Sequence, residues 1–409
     1  MSVCQPGHFQ YMQLESRSRR FLCLQQNVAV LIWVLFFKKD TISTTKNRSE
    51  SKINALKFLV DCFPSSDLVS FFKNNLVALI KFVAYKYQLR KAKSPNSIVS
   101  LPLYGHICVP VYKGYKIFDL RRNVVMRLFD PDVSLHDISN EIEHMKIASR
   151  VSFAPSLRKW DLMKRWYEED YVIGSVDSPR VSSMDSAVFL KSFFQELAPH
   201  IIVLITLQSP LIKNAAQSVA DLMQNIEDTR IGGQPLLNND EAKIKDFLDR
   251  IVDSLQTNKD VPVFHVFTHG DFCPENVLKT QQGMKLIDWE CAKYRTALYD
   301  FYSYFFYRPC HKDLPIETLV FEINEALSSF ISKISKELPE LARSISDYES
   351  LYRKIYYLER LGYLAEREMT DKKPGIRDLF FRNIEVFARY EQMLTVKDRE
   401  SMLDEKAKV

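Results

Sequence analysis

The chain is expected to be an α+β protein of two lobes, a small mixed β-rich lobe followed by a mainly helical one, behind a helical N-terminal extension. Three observations predict this. Glycine is scarce, with 10 in 409 residues, which disfavours an all-β architecture full of tight turns and suits long helices. Apolar and polar residues alternate in short runs between Ile107 and Phe129, the pattern of half-buried strands. Beyond Ser182 the apolar period becomes helical, and one stretch interrupts it, "VFTHGDFCPENVLKTQQGMKLIDWE" at residues 266–290.

Composition bounds the rest. Hydrophobic residues at 46% and charged residues at 26% exclude a disordered chain, and the length favours two or more lobes. The net charge of +5 suits anionic ligands, but without a basic patch it predicts no nucleic-acid partner. The 7 cysteines are odd in number and lack any C-x-x-C pair; they read as reduced thiols of a cytoplasmic protein.

Residues 1–100 form the expected extension. The uninterrupted apolar run at 28–37 is about half of the roughly 20 residues that a membrane-spanning helix requires, and Gln25, Gln26 and Asn27 block its extension backwards. It reads as a buried or partner-covered helix, with a peripheral membrane contact as the second reading. A polar linker follows at 43–52. Leu68, Phe72, Leu76, Leu79, Ile80 and Val83 then repeat at helical spacing. Ser66 or Asp67 can cap that helix, and Lys81, Lys86, Arg90 and Lys91 gather toward the negative end of its dipole. This is a packed amphipathic helix with a basic end, or a basic membrane-surface helix.

The β-rich lobe is placed at 101–176. Strands are expected at 107–112, 115–120 and 124–129, joined by turns at Lys113-Gly114 and at 121–123. A helix over 137–149 carries Glu141 and Glu143, and "RWYEEDYVIGS" is a further strand that leaves through Gly174. The helical lobe is placed at 177–395, with apolar periodicity at 188–197 and 242–255. Within the interruption, 277–279 and 284–287 read as two short strands with a turn at 281–283. Helices resume with "LYDFYSYFFY", whose aromatic run reads as core, and three more segments follow. The charged residues 396–409 are expected to fray.

The interrupting stretch carries Asp271, Asn276 and Asp288. Each alone reads as a turn former. Together, in this order and beside short strands, they supply what phosphoryl transfer from a nucleotide needs: a carboxylate to take a hydroxyl proton, an amide to hold a metal, and a second carboxylate to chelate magnesium between phosphates. Pro274 stiffens the loop between them. Cys273 and Cys291 read as ordinary buried thiols, and the histidines show no metal-ligand spacing.

These residues carry a resemblance. "HGDFCPEN" fits the H-G-D-x-x-x-x-N loop of the aminoglycoside phosphotransferase and choline kinase family, and "LIDWE" fits its second motif. The chain resembles that family over residues 110–368, most strongly at 269–300. The resemblance implies a protein-kinase-like fold, ATP and Mg as cofactors, and as acceptor the hydroxyl of a small molecule such as a sugar, an amino alcohol or a glycolipid intermediate. It gives Asp271 the role of base, Asn276 and Asp288 the metal, and His269 and Asp300 the bracing of the loop. In the β-rich lobe it implies that Gly114 turns over the phosphates. Arg127 there stands where the family has Lys, with Glu141 as its expected partner and Glu143 as the second candidate. Residues 168–171, Glu169 and Tyr171 among them, would hold adenine.

Protein kinases fit less well. Cys273 stands where they have Lys, Gly270 replaces the Arg of H-R-D, Trp289-Glu290 replaces Phe-Gly, and no A-P-E follows. A small-molecule kinase is therefore expected ahead of one with a protein substrate. The alternative is a nucleotide-binding pseudokinase or scaffold, because the wide fork of Arg127 is not a conservative replacement for an ammonium.

Overall fold

Fourteen strands and seven helices longer than one turn follow one another in a computed structural model of the chain, which describes residues 8–13, 21–23, 98–176, 184–220, 238–311, 314–371 and 376–407. Contacts divide it into two units, Met1–Ser178 with Val277–Ile287, and Pro179–Asn276 with Asp288–Val409.

The first unit holds an antiparallel sheet. Its strands are β1 (Phe9–Gln13), β2 (Phe21–Cys23), β3 (Ile98–Leu101), β4 (Ile107–Val111), β5 (Gly114–Asp119), β6 (Val124–Phe129), β7 (Leu157–Asp161) and β8 (Trp166–Asp170), in the spatial order β3-β1-β2-β4-β5-β6-β8-β7. The strands read from sequence at 107–112, 115–120 and 124–129 match β4, β5 and β6 within a residue or two. Every residue of β6 is buried, as befits a central strand. Helix α1 (Leu135–Ala148) follows; the Ser134 side chain caps it by accepting from the Asp137 N–H at 3.0 Å, and Ile138, Ile142, Met145 and Ala148 face inward.

The extension departs from the expectation. Its described residues are strands, not helix, and they belong to the sheet. Tyr11, Phe21, Cys23 and Leu101 are buried in one cluster with Cys108, Ile117, Met126 and Leu128, and the Tyr11 hydroxyl donates to the Leu103 carbonyl at 2.8 Å. Three or four alternating residues are too short a signal to register alone; long-range pairing with β4 and β3 makes them strands. The apolar run at 28–37, the linker and the basic amphipathic helix lie outside the described residues.

A second sheet of this unit orders β13 (Gly283–Leu286), β12 (Val277–Thr280) and β9 (Ser175–Val176). Gly174 lies so close to Lys279 and Leu278 that a Cβ would stand 2.8 Å from a backbone oxygen.

The second unit is mainly helical. It comprises α2 (Met184–Thr206), β10 (Leu211–Asn214), α3 (Asn238–Gln256), β11 (Pro262–Thr268), β14 (Lys293–Thr296), α4 (Tyr299–His311), α5 (Val320–Glu337), α6 (Pro339–Asp371) and α7 (Ile376–Ala407), with β10-β11-β14 as a small sheet. The aromatic run of α4 is core, as expected. Phe301 and Phe305 meet Phe194 of α2 at centroid distances of 5.1 Å, and Phe306 meets Phe387 of α7 at 5.2 Å. The tail does not fray at 396; α7 continues to Ala407.

Candidate active site

The chain enters the site from β11. That strand is anchored on both sides: the Thr268 hydroxyl donates to the Lys293 carbonyl at 2.8 Å, and His265 shares a 3.0 Å hydrogen bond with Ser218. The next residues turn sharply. Gly270 has φ +83, and a Cβ there would collide with the Cys291 carbonyl oxygen and the Arg295 guanidinium. Only glycine fits such a left-handed, enclosed position.

Asp300, at the start of α4, braces the turn. Its carboxylate accepts the N–H of His269 at 2.7 Å and of Gly270 at 2.9 Å. Burial raises its pKa, while His269 and the two N–H groups oppose that rise. The His269 ring packs edge-on against Trp289 at 4.6 Å and its Nδ1 accepts the Asp271 N–H at 3.3 Å. The bracing that the resemblance implied for His269 and Asp300 is thus a set of hydrogen bonds to the loop backbone.

Asp271 and Asn276 are tied together. The Asn276 Nδ2 donates to the Asp271 carbonyl at 2.8 Å and to its Oδ2 at 3.3 Å, across a 3-10 turn at Pro274–Asn276. With Nδ2 so engaged, the amide oxygen is the face left for a cation. Asp288 is held at φ 73, ψ 52, a left-handed conformation that is uncommon and strained for a residue with a Cβ. It opens the short turn Trp289–Cys291, yet its side chain makes no capping bond there. An amide oxygen and a carboxylate are the hard donors that magnesium takes from protein, water and phosphates completing the shell, so these residues fit the ion.

Asp271 also borders a narrow pocket inside the second unit, with Phe272, Phe306, Tyr356, Arg360 and Asn383 in its walls. Sequence reading found none of the last four. A cation amid the apolar stripe of α6, between Tyr356 and Leu364, was the available signal for Arg360. Burial disfavours its charge, but Tyr299, Tyr356 and Asp271 outweigh this and raise its pKa. The nearby thiols are inert: burial, then Asp271, pushes the Cys291 pKa up to about 12, and burial raises that of Cys273 well above the ordinary range.

The remaining predicted residues lie in the first unit. Arg127 is buried on β6, with Nε 3.6 Å from Glu141, one Nη donating to the Tyr112 carbonyl, and its carbon 4.7 Å from the Phe129 ring centroid. Tyr167 holds the same Glu141 at 3.0 Å, whereas Glu143 pairs with Lys146 on the exposed face. Gly114, φ +146, opens β5 behind Lys113 in a turn too close to the Leu128 carbonyl for any Cβ.

Residues 168–170 close the strand β8, and Tyr171 follows it. Glu169 is buried within the ladder between β6 and β7, Asp170 N–H donates to Ser156 at 3.0 Å, and Tyr171 N–H donates to Asn123 at 3.0 Å. Those two donors are spent on the sheet, and irregular backbone begins at Tyr171.

Residues 208–319 match the model of the phosphotransferase enzyme family, a span that contains Asp271, Asn276, Asp288 and Asp300, and the resemblance drawn from the motifs is borne out. No curated protein sequence matches significantly. Among solved structures, the choline kinase of Streptococcus pneumoniae is 15% identical with a TM-score of 0.43, over 68% of this chain and 90% of that one. The choline kinase of Cryptosporidium parvum gives 12% and 0.49, over 71% and 90%. The Plasmodium vivax ethanolamine kinase gives 12% and 0.46, over 81% and 91%.

Proposed function

We propose that this protein is a small-molecule kinase, transferring the terminal phosphoryl group of ATP, with magnesium, to a hydroxyl. The observation that carries this reading is the unit formed by Asp271 and Asn276 beside an enclosed pocket. Asp271 would accept the proton of the attacking hydroxyl. Asn276 orients that carboxylate and, with Asp288, would hold magnesium, which when bound screens charge on the transferring phosphoryl group. The braces from Asp300 and His269 keep the loop fixed before substrate arrives, so little reorganisation remains in the transition state. The resemblance further assigns nucleotide contacts within the first unit to Arg127 with its partner Glu141, to Gly114 and to the backbone of residues 168–171.

No observation favours a nucleotide-binding scaffold: Arg127 keeps its charge and its glutamate partner, and the three loop residues occur together. The test is ATP consumption by the purified chain against a panel of hydroxyl-bearing metabolites, run beside Asp271→Asn and Asp288→Asn. A wild type no more active than these variants with every acceptor would overturn the assignment.

A further inference from the structure

Two buried groups in the pocket beside Asp271 lack what proteins normally supply. Arg360 is 7% exposed and its guanidinium is permanently charged. Among the described residues no carboxylate lies within ion-pairing distance of it and no group accepts a hydrogen bond from it; its guanidinium lies 5.5 Å from the centroid of the Tyr363 ring. Two other buried guanidinium groups show how this protein can satisfy such a charge. Arg353, 6% exposed, has both Glu349 and Glu391. Arg295, 3% exposed, donates to the Thr268 hydroxyl and the Cys291 carbonyl. Asp271 favours the charge from across the pocket, but a buried guanidinium that makes neither an ion pair nor a hydrogen bond is costly, and its donors call for an acceptor that arrives from outside.

The second group is Asn383, 1% exposed. Its Nδ2 donates to the Leu379 carbonyl at 2.7 Å, which fixes the amide orientation, and its buried Oδ1 has no hydrogen-bond partner. The pocket therefore offers a fixed cation, an idle acceptor and the Asp271 carboxylate, between the aromatic walls of Phe306 and Tyr356.

We propose that the phosphoryl acceptor carries an anionic group, carboxylate or phosphate, close to its reactive hydroxyl, and that Arg360 binds this anion while Asn383 accepts from a hydroxyl of the same molecule. The proposal rests on the kinase reading above and specifies its substrate class. A guanidinium fork matches either oxyanion in a bidentate way and repels an ammonium, so a cationic amino alcohol is disfavoured.

The experiment measures ADP release by the full chain with matched acceptors. Glycerate supplies the carboxylate arm and glycerol phosphate the phosphate arm; glycerol is the neutral control, and choline and ethanolamine the cationic ones. One anionic arm is expected to exceed the neutral and cationic acceptors in kcat/KM. Arg360→Gln should cut kcat/KM for that acceptor about 10- to 150-fold, the range of a hydrogen bond to a charged group, with the change concentrated in KM, as for lost ground-state binding. Arg360→Lys, which keeps the charge without the fork, should fall between. A thermal shift gives a readout apart from turnover: the anionic acceptor should raise the wild-type melting temperature and not that of Arg360→Gln. Circular dichroism checks that each variant folds, and if Arg360→Gln does not, Arg360→Lys and the wild-type ranking decide. Turnover confined to neutral or cationic acceptors, or an anion preference that survives Arg360→Gln, overturns this inference alone. No turnover with any acceptor, in a wild type equal to Asp271→Asn, overturns the kinase reading as well.

Discussion

At the residue scale, the loop concentrates its chemistry in one side chain. Asp271→Asn keeps the shape and the link to Asn276 while removing the proton acceptor, and turnover is expected to fall about 10²- to 10⁴-fold, roughly 3 to 5 kcal/mol of barrier. Steady-state rates with unchanged nucleotide binding would establish this; a smaller loss would remove Asp271 from the chemistry. Gly270→Ala addresses the scaffold under it. The left-handed backbone alone costs about 1 to 3 kcal/mol for a residue with a Cβ, and the collisions with Cys291 and Arg295 add to that. The urea midpoint should drop at unchanged slope. Arg127→Lys should also destabilise, by about 1 to 3 kcal/mol, since an ammonium cannot serve Glu141, the Tyr112 carbonyl and the Phe129 face together; a melt at equal or higher temperature would refute it. Asp271, Asn276 and Asp288 were legible because one loop and one hairpin hold all three, so spacing carries their relation. Arg360 and Asn383 reach the same pocket from helices far along the chain, and no local pattern records that meeting.

At the scale of elements, the sheet of the first unit is completed from its N-terminus. β1 lies between β3 and β2, and β2 pairs with β4. A chain starting at residue 98 would lose Tyr11, Phe21 and Cys23 from a shared core, at about 1.5 to 3 kcal/mol for each large buried side chain. Such a chain should lose the cooperative thermal transition of this unit and bind hydrophobic dye; a sharp melt with intact ATP binding would show the first strands to be accessory. Sequence reading placed β4, β5, β6, α1 and the β12-β13 hairpin because each has enough alternating or periodic residues to declare its face. It missed β7, whose five residues are all exposed or half-exposed and show no alternation, and β1 and β2, whose strand character depends on partners elsewhere.

At the scale of the whole molecule, the division into a β-rich and a helical part followed from the change of apolar period, and the resemblance to a phosphotransferase family from two short motifs; the pocket beside Asp271 did not, because it is assembled from three helices and a loop. The division also has a feature that no period reveals. The chain leaves the second unit after Asn276, contributes β12 and β13 to the first, and returns at Asp288, so neither unit is a continuous stretch of polypeptide. During synthesis, domains generally fold in the order in which they leave the ribosome. Here β9 must wait for β12, its partner through Leu278 and Lys279, and the Phe153 carbonyl must wait for the Leu286 N–H, 2.7 Å away in the finished fold. Nascent chains halted before residue 277 should therefore carry a first unit open to protease beyond β8, and chains halted well past residue 287 should close it. The two candidate magnesium ligands sit at the two ends of that late insertion, so translation completes the metal site only after the large sheet has already been made.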